Sequence, residues 1–181
     1  MASVEKLYSE DAIAERVAAI AKDIAASKPD HLLVIVVLKG GFVFAADLVR
    51  ELARLDVRLE VEFISLSSYG KGLKSSGEVR ILRDIGCEVT GRDVLIVDDI
   101  LDSGLKVKFA RDLMESRGAR RVAIAVMIDK PEGRNTKIHA DYLGFTCPDY
   151  FVVGYGMDAG HAYRELPFVG IYRADNGKDG K

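Results

Sequence analysis

Continuous apolar stretches rich in valine and isoleucine dominate the hydrophobic pattern of the chain. Strands that are covered on both faces show this pattern, because neither side of such a strand meets water. Three stretches predict buried strands of this kind: His31–Leu38, Asp93–Val97 and Val122–Ile128. Each is too short to cross a bilayer as a helix, which takes about 20 apolar residues.

Helical patterns accompany these strands. Ser9 is a typical N-cap, and apolar residues then recur at helical spacing over residues 13–24. A second helix is predicted after Gly40-Gly41 and a third over Leu105–Arg117. Strands that alternate with helices predict βαβ units with right-handed crossovers, and therefore a parallel sheet.

A strand-loop-strand excursion is predicted between the first two buried strands. Val57–Leu66 alternates apolar and polar residues, Ser67–Gly77 is a polar loop rich in glycine, serine and lysine, and Glu78–Arg83 resumes strand character. This pattern predicts a hairpin with a long flexible tip. Shorter strands are predicted near the end of the chain, at Asp141–Phe145, Phe151–Tyr155 and Phe168–Tyr172.

Together these elements predict an α/β fold with a mainly parallel, twisted sheet flanked by helices. The 181 residues fit a single domain, which we place at residues 1–175, followed by a polar, frayed tail at 176–181. Ligands of parallel sheets collect at the carboxyl ends of the strands, so candidate chemistry is sought there.

Composition and charge exclude several classes of partner. The formal net charge of −2 gives no global basic field, so we expect neither a nucleic-acid nor a membrane partner. The first twenty residues combine acidic side chains with helical periodicity, which does not fit a signal peptide. Cys87 and Cys147 are the only cysteines and lie far apart, so we expect reduced thiols in a cytoplasmic protein.

The strongest chemical pattern is an acidic turn after the second buried strand. Asp98 and Asp99 follow the strand directly, and Asp102-Ser103-Gly104 precedes the next helix. Carboxylates at the end of a buried strand are unfavourable unless cations or hydroxyl groups meet them. The free N–H groups and the dipole at the start of a helix favour a phosphate. The turn therefore fits a sugar hydroxyl pair with magnesium on one side and a phosphate on the other.

A purely structural explanation of this turn stays open. Asp102 or Ser103 would then cap the helix, and the acidic pair would be solvated. The other segments named below also fit structural roles when each is taken alone: a strand-to-helix turn, a solvated hairpin tip, an exposed lysine and a core phenylalanine.

The segment Val94-Leu-Ile-Val-Asp-Asp-Ile-Leu-Asp-Ser-Gly104 resembles the donor-binding motif of the type I phosphoribosyltransferases. Together with Leu38-Lys-Gly-Gly41, Met127-Ile-Asp-Lys-Pro131 and Phe151-Val-Val-Gly-Tyr-Gly-Met-Asp158, it resembles the hypoxanthine-guanine branch of that family. The resemblance extends from about Leu38 to Arg164 and covers most of the chain. It implies the fold of that family, with a small hood lobe built from the chain termini and a flexible hairpin lid.

The resemblance implies a role for each matching residue. Asp102 would be the general base for the purine N7 proton. The ribose and phosphate of the donor would be bound by Asp98, Asp99, Asp102, Ser103, Gly104, Leu105 and Lys106. Pyrophosphate would be bound by Leu38, Lys39, Gly40, Ser68, Tyr69 and Arg164, with a non-proline cis peptide between Leu38 and Lys39. The purine would be bound by Lys130, Phe151 and Val152, and Mg²⁺ by Asp98, Asp99 and Asp158.

Two positions depart from the family pattern. Ala159 stands where the related enzymes usually carry an aromatic residue, directly after the expected metal-linked Asp158. The related enzymes usually carry threonine where this chain has Lys106, and that hydroxyl is expected to contact the 5′-phosphate. Lys106 would either contribute charge or point to solvent, leaving Ser103 and the backbone to bind the phosphate.

The activity implied is transfer of the 5-phosphoribosyl group from 5-phosphoribosyl 1-diphosphate to hypoxanthine or guanine, by a homodimer or homotetramer. A nucleotide-sensing, RNA-binding regulator or a pyrimidine phosphoribosyltransferase would share the fold, but Asp102, Leu38-Lys39-Gly40 and Lys130 favour a purine enzyme. A dinucleotide-binding oxidoreductase is not supported, because no GxGxxG follows the first strand. A non-catalytic protein on the same scaffold would have lost its acids, and they are present.

Overall fold

The computed structural model describes residues 3–69 and 78–174. Its helices are α1 (Glu10–Ala26), α2 (Phe42–Arg54) and α3 (Leu105–Ser116), with a 3-10 turn at Pro131–Gly133. Its strands are β1 (Ser3–Tyr8), β2 (Leu32–Leu38), β3 (Leu59–Tyr69), β4 (Glu78–Arg83), β5 (Asp93–Leu101), β6 (Arg121–Asp129), β7 (Tyr142–Thr146), β8 (Val152–Val153) and β9 (Val169–Arg173).

A six-stranded sheet in the order β4-β3-β2-β5-β6-β7 forms the centre of the fold. All its pairings are parallel except that of β4 with β3, so the predicted mainly parallel sheet is confirmed. Helices α1 and α2 cover one face and α3 covers the other. Val34 and Val36 of β2 pack on the first face and Leu33 and Ile35 on the second, which explains its uninterrupted apolar sequence.

A second, three-stranded sheet joins the two ends of the chain. Its order is β1-β9-β8, and both pairings are antiparallel. This sheet is the predicted hood lobe built from the termini. Strand β1 was not predicted, because its strand partner lies at the far end of the chain and leaves no local pattern. Helix α1 begins as predicted, with the side chain of Ser9 accepting a hydrogen bond from the N–H of Ala12 at 3.2 Å.

Several predicted boundaries move in the structure. The largest change concerns β5, which was predicted to end at Val97 and in fact continues through the acidic pair to Leu101. The predicted short strand at Phe151–Tyr155 contracts to the two residues of β8. Residues 70–77 of the predicted lid and the predicted tail at 176–181 lie outside the described residues, and the single-domain assignment stays a prediction. Among the described residues, no helix is both long and apolar enough to cross a membrane.

Candidate active site

The carboxyl ends of β2, β5 and β6 meet at one edge of the central sheet. β5 lies between the other two strands, with Val36 level with Val97 and Leu101 level with Asp129. The residues at and after these strand ends therefore lie at the same edge of the sheet. The three segments that the sequence marked for chemistry are brought together by this register.

Asp98 and Asp99 lie near the end of β5 and differ in burial. Asp98 is only 4% exposed, whereas Asp99 is partly exposed. The N–H of Asp99 donates to the carboxylate of Asp98 at 2.9 Å, and the N–H of Ile100 donates to that of Asp99 at 2.9 Å. Burial raises the pKa of Asp98 well above its usual range, and the adjacent Asp99 carboxylate adds to the shift. Two crowded carboxylates of this kind favour a cation.

Lys106 provides part of the positive charge near this pair. The Asp98 pKa is lowered by the Lys106 ammonium, although burial and Asp99 outweigh it. Lys106 itself is exposed in the first turn of α3. This exposure also fits the other expected role, in which Lys106 points to solvent, so its contact with the 5′-phosphate stays a prediction.

The fit of magnesium to this site follows from its donor set. Mg²⁺ prefers oxygen ligands and is usually bound by one or two carboxylates together with water and substrate phosphates. Asp98 and Asp99 supply such a pair. Among residues 3–69 and 78–174, no three His, Cys, Asp or Glu side chains are grouped to hold a metal ion by themselves. The donor set therefore fits an ion that a phosphorylated substrate helps to bind.

The acidic turn continues into α3 without a side-chain cap. The N-cap of α3 is Gly104, which has a left-handed φ of 81° and makes no capping hydrogen bond through a side chain. Ser103 Oγ accepts only a long 3.4 Å hydrogen bond from the N–H of Leu105. Of the predicted structural caps, Ser103 therefore provides only this long contact, and Asp102 makes no capping hydrogen bond in the described residues.

Asp102 is exposed and lies against the backbone that follows β6. A Cβ added to Gly133 would lie 1.9 Å from Asp102 Oδ1, so the carboxylate packs directly on this glycine. Gly133 is three residues beyond Lys130 in the chain. The Asp102 carboxylate thus lies against the segment that begins with Lys130, the lysine expected to bind the purine.

The segment after β2 has the predicted cis peptide bond between Leu38 and Lys39. Gly40 lies directly against Asp99, since a Cβ there would be 1.6 Å from Asp99 Oδ2. On its other side the carbonyl of Gly40 faces Gly156, whose added Cβ would lie 2.2 Å from that oxygen. The expected pyrophosphate segment is therefore held between the acidic pair and the hood.

Lys130 is buried, at 6% exposure, which contradicts the view of it as an exposed lysine. Its N–H donates to the carbonyl of Leu101 at 2.9 Å, and its ammonium pairs with the exposed carboxylate of Asp149 at 3.3 Å. A buried ammonium with one partner at the edge of the cleft is a suitable donor to a carbonyl oxygen of a ligand. No pattern in the sequence marked Asp149.

Phe151 and Val152 belong to the hood, where both contact β9. Phe151 is 56% exposed, and its ring packs edge-on against Tyr172 at 5.6 Å between centroids. An exposed aromatic face does not fit the structural reading of Phe151 as a core residue and is suited to stacking. Val152 is buried and pairs with Ile171 of β9.

Arg164 and Asp158, expected to bind pyrophosphate and metal, form an ion pair at 2.6 Å. Arg164 also donates to the carbonyl of Gly156 at 2.5 Å, which places both side chains behind the Gly40 segment. Arg164 further lines a cavity of about 800 Å³ between α1, α2 and residues 164–167, which contains none of the three turn aspartates. Ser68 and Tyr69 end β3, and their side chains lie outside the described residues.

The crowding of Asp98 gives a testable consequence for stability. A folded-state pKa above the unfolded one means that the folded state binds more protons between those values, so the free energy of unfolding falls as pH rises through that window. Asp98→Asn removes the ionising group and nearly keeps its shape. Without magnesium, we expect this variant to unfold about 2–4 °C above the wild type near pH 8.

The difference should disappear toward about pH 4, where an unperturbed aspartate begins to ionise. Thermal unfolding followed by circular dichroism across this range measures it. Asp112→Asn on the exposed face of α3 serves as the control. A stability difference that does not change with pH would contradict the raised pKa of Asp98 in the folded protein.

Comparison with known proteins identifies the family. A model of the phosphoribosyl transferase domain matches residues 3–159. A hypoxanthine-guanine phosphoribosyltransferase of Bacillus subtilis is 42% identical over 172 residues, which cover 94% of each protein. The bifunctional protein TilS/HprT of Listeria innocua is 44% identical over 170 residues, which cover 93% of this chain and 26% of that protein. The chain thus spans about a quarter of the length of that relative.

A solved structure supports the same assignment. The hypoxanthine phosphoribosyltransferase of Staphylococcus aureus superposes with a TM-score of 0.88 at 35% sequence identity, covering 93% of this chain and 91% of that one. The family model covers most of the described chain, and the acidic turn, the Gly40 segment and Lys130 all lie within the matched residues. The chain therefore belongs to the phosphoribosyltransferase family.

Proposed function

We propose that the protein transfers the 5-phosphoribosyl group of 5-phosphoribosyl 1-diphosphate to hypoxanthine or guanine, forming IMP or GMP and pyrophosphate. The observation that carries this proposal is the meeting of the acidic turn, the Gly40 segment and the buried Lys130 at one edge of the sheet. Named relatives that align over nearly their whole length act as hypoxanthine-guanine phosphoribosyltransferases, which supports the same substrates.

In the proposed reaction, N9 of the purine forms a bond to C1′ of the ribose while the bond from C1′ to pyrophosphate breaks. The electron pair of the breaking bond leaves with pyrophosphate, and Asp102 accepts the proton from N7. No covalent intermediate with the protein is needed. Orientation of the two substrates supplies much of the rate, since well-oriented reactants gain about 7–11 kcal/mol over free encounter.

Each binding group has a distinct task in this proposal. The backbone of the Asp102–Lys106 turn and Ser103 bind the 5′-phosphate, and Asp98 and Asp99 bind the ribose hydroxyls. Lys39, Gly40 and Arg164, together with Ser68 and Tyr69 of the lid, bind pyrophosphate.

The purine stacks on Phe151, meets the backbone of Val152 and accepts a hydrogen bond at O6 from Lys130. A donor at this position selects 6-oxopurines, because the amino group that adenine presents there cannot accept a hydrogen bond from the Lys130 ammonium.

We propose Mg²⁺ as the cofactor. Asp98 and Asp99 would hold the ion, and Asp158 would be a further ligand. When bound, the ion neutralises charge on the leaving pyrophosphate. The side chain of Asp158 already has two partners, the guanidinium of Arg164 and the N–H of His161, which donates at 2.8 Å. A role for Asp158 through bridging water is compatible with these contacts, since Mg²⁺ keeps several waters.

We also propose that the protein assembles as a homodimer or homotetramer in the cytoplasm. Phe42, Phe63 and Leu82 are 44%, 39% and 68% exposed. These exposed apolar side chains are available for contact with another copy of the chain. The two free cysteines, Cys87 and Cys147, fit a reducing compartment.

A direct assay tests the proposed activity. The protein is mixed with 5-phosphoribosyl 1-diphosphate, Mg²⁺ and one base at a time, and nucleotide formation is followed by absorbance. We expect nucleotide with hypoxanthine or guanine, and at least about 10²-fold less with adenine, because a site built to donate a hydrogen bond to O6 rejects a base that lacks this acceptor. Activity with adenine or uracil alone would contradict the assigned specificity, and no activity with any base would contradict the reaction.

A further inference from the structure

The guanidinium of Arg134 is bonded to four acceptors around the acidic turn. It donates to the carbonyls of Asp102 at 2.8 Å, Leu101 at 3.1 Å and Ile138 at 2.6 Å, and to the carboxylate of Asp129. The side chain is only 12% exposed. Its planar fork thus uses most of its donors on the backbone of the turn and on the end of β6.

The polar segment that contains Arg134 binds the next carbonyl of the turn as well. Ser103 O accepts a hydrogen bond from the hydroxyl of Thr136 at 2.9 Å and another from the N–H of Asn135 at 3.3 Å. Three consecutive carbonyls, those of residues 101, 102 and 103, therefore all face the same segment. The turn is held from one side over its whole length.

The direction of these carbonyls also fixes the direction of the backbone N–H groups in the turn. In a planar trans peptide the N–H points opposite to the preceding carbonyl. The only cis peptide among the described residues is Leu38–Lys39, so the peptides of the turn are trans. When the carbonyls of Leu101, Asp102 and Ser103 face Arg134 and its neighbours, the N–H groups of Asp102, Ser103 and Gly104 point away from them. That is the side on which a phosphate would be bound.

We propose that Arg134 is a positioning residue that aims these N–H groups at the 5′-phosphate of the donor and holds Asp102 at the reacting base. This inference rests on the proposed function and assigns Arg134 no contact with substrate. Arginine is required because a lysine ammonium has a single donor centre and cannot reach two adjacent carbonyls and a carboxylate at once. The purine-binding Lys130 keeps its own partner, Asp149, and is expected to be little affected.

Arg134→Lys tests the inference, with Arg121→Lys as the matched control. Arg121 begins β6, is exposed and touches only the hydroxyl of Tyr142 at 3.2 Å among the hydrogen bonds of its side chain in the described chain. For Arg134→Lys we expect kcat/KM for the donor to fall about 10²-fold, since small displacements of binding groups have effects of this size. The fall should come from both a higher donor KM and a lower kcat, while the purine KM stays within about threefold of the wild type.

The combined change in donor KM and kcat distinguishes a positioning role of Arg134 from a loss of folded protein. A partly unfolded preparation loses kcat in proportion to the missing enzyme and keeps the donor KM. Should Arg134→Lys fail to fold, Asp129→Asn replaces it, because this variant removes the anchoring carboxylate and leaves the carbonyl contacts of Arg134. We expect it to raise the donor KM about three- to tenfold.

The outcomes distinguish the two proposals. Unchanged donor KM and kcat in the folded variant tested would overturn the role of Arg134 while leaving the proposed reaction intact. A wild-type protein that forms no nucleotide with any base would instead overturn the proposed function.

Discussion

Asp102→Asn is expected to lower kcat about 10²- to 10⁴-fold, the range that general acid–base groups contribute. Asparagine keeps the size of the side chain but cannot accept the purine N7 proton. The carboxylate is exposed and lies against Gly133, so the amide fits the same space. The main chain at this residue stays fixed, because Arg134 holds the Asp102 carbonyl. Both KM values should therefore change much less than kcat.

Initial rates at saturating donor and base measure this effect. Single-turnover measurements should accompany them, because product release limits kcat in many enzymes and would hide part of a loss in the chemical step. Asp112→Asn is the control, since Asp112 is exposed on α3 and pairs only with Lys108 at 2.5 Å in the described structure. A variant at residue 102 that turns over at the wild-type rate would mean that another group accepts the proton.

The central sheet was predictable because its strands are buried on both faces. Continuous runs of valine and isoleucine strongly favour such a strand. Strands β2, β5 and β6 lie where these runs predicted them. β1 was missed for the opposite reason. It is short, carries charged residues and pairs with β9 at the far end of the chain.

The acidic turn was visible in the sequence because its residue types are unfavourable without a ligand. Asp98 illustrates this point, since the structure buries it beside Asp99 with its pKa raised by burial and by that neighbour. A feature of this kind destabilises the free protein and is typical of a functional site. The residues proposed to do the chemistry were therefore easier to predict than the residues that hold the backbone of the site in place.

Arg134 shows why those supports were missed. It lies in a polar loop that resembles any surface turn, and three of its four partners are backbone or side-chain groups of Leu101, Asp102 and Asp129, which are contacted only after folding. Backbone carbonyls carry no sequence information. A residue that acts by holding main-chain groups can thus be identified only from coordinates.

Close approaches of the backbone to a side chain also cannot be predicted from the sequence. Substitution of Gly40, which makes such an approach, gives the second large expected effect. Gly40→Ala should lower kcat/KM for the donor about 10²-fold, because the added methyl would occupy the position of the Asp99 carboxylate, 1.6 Å from its Oδ2. Gly40 has no left-handed φ, so alanine strains no torsion there. Asp99 is the group that must move, and it is a proposed ligand of ribose and magnesium.

The fold should survive this change, since a carboxylate at the end of a short side chain can rotate away without displacing the strand. We therefore expect the unfolding temperature of Gly40→Ala to stay within about 2–4 °C of the wild type while the donor KM rises. Steady-state kinetics with varied donor and thermal unfolding of the same preparation measure the two quantities.

Gly86→Ala is the matched control, because a Cβ at Gly86 would meet no atom within 4 Å. Comparing the two variants separates the effect of the contact with Asp99 from the general effect of replacing a glycine in a loop. A normal donor KM for Gly40→Ala would mean that Asp99 binds the donor equally well from another rotamer, and its contact with Gly40 would then have no part in binding. A large fall in unfolding temperature would instead mean that Gly40 is needed for packing between the acidic pair and Gly156. Only a raised KM in a stably folded variant supports the site as assigned.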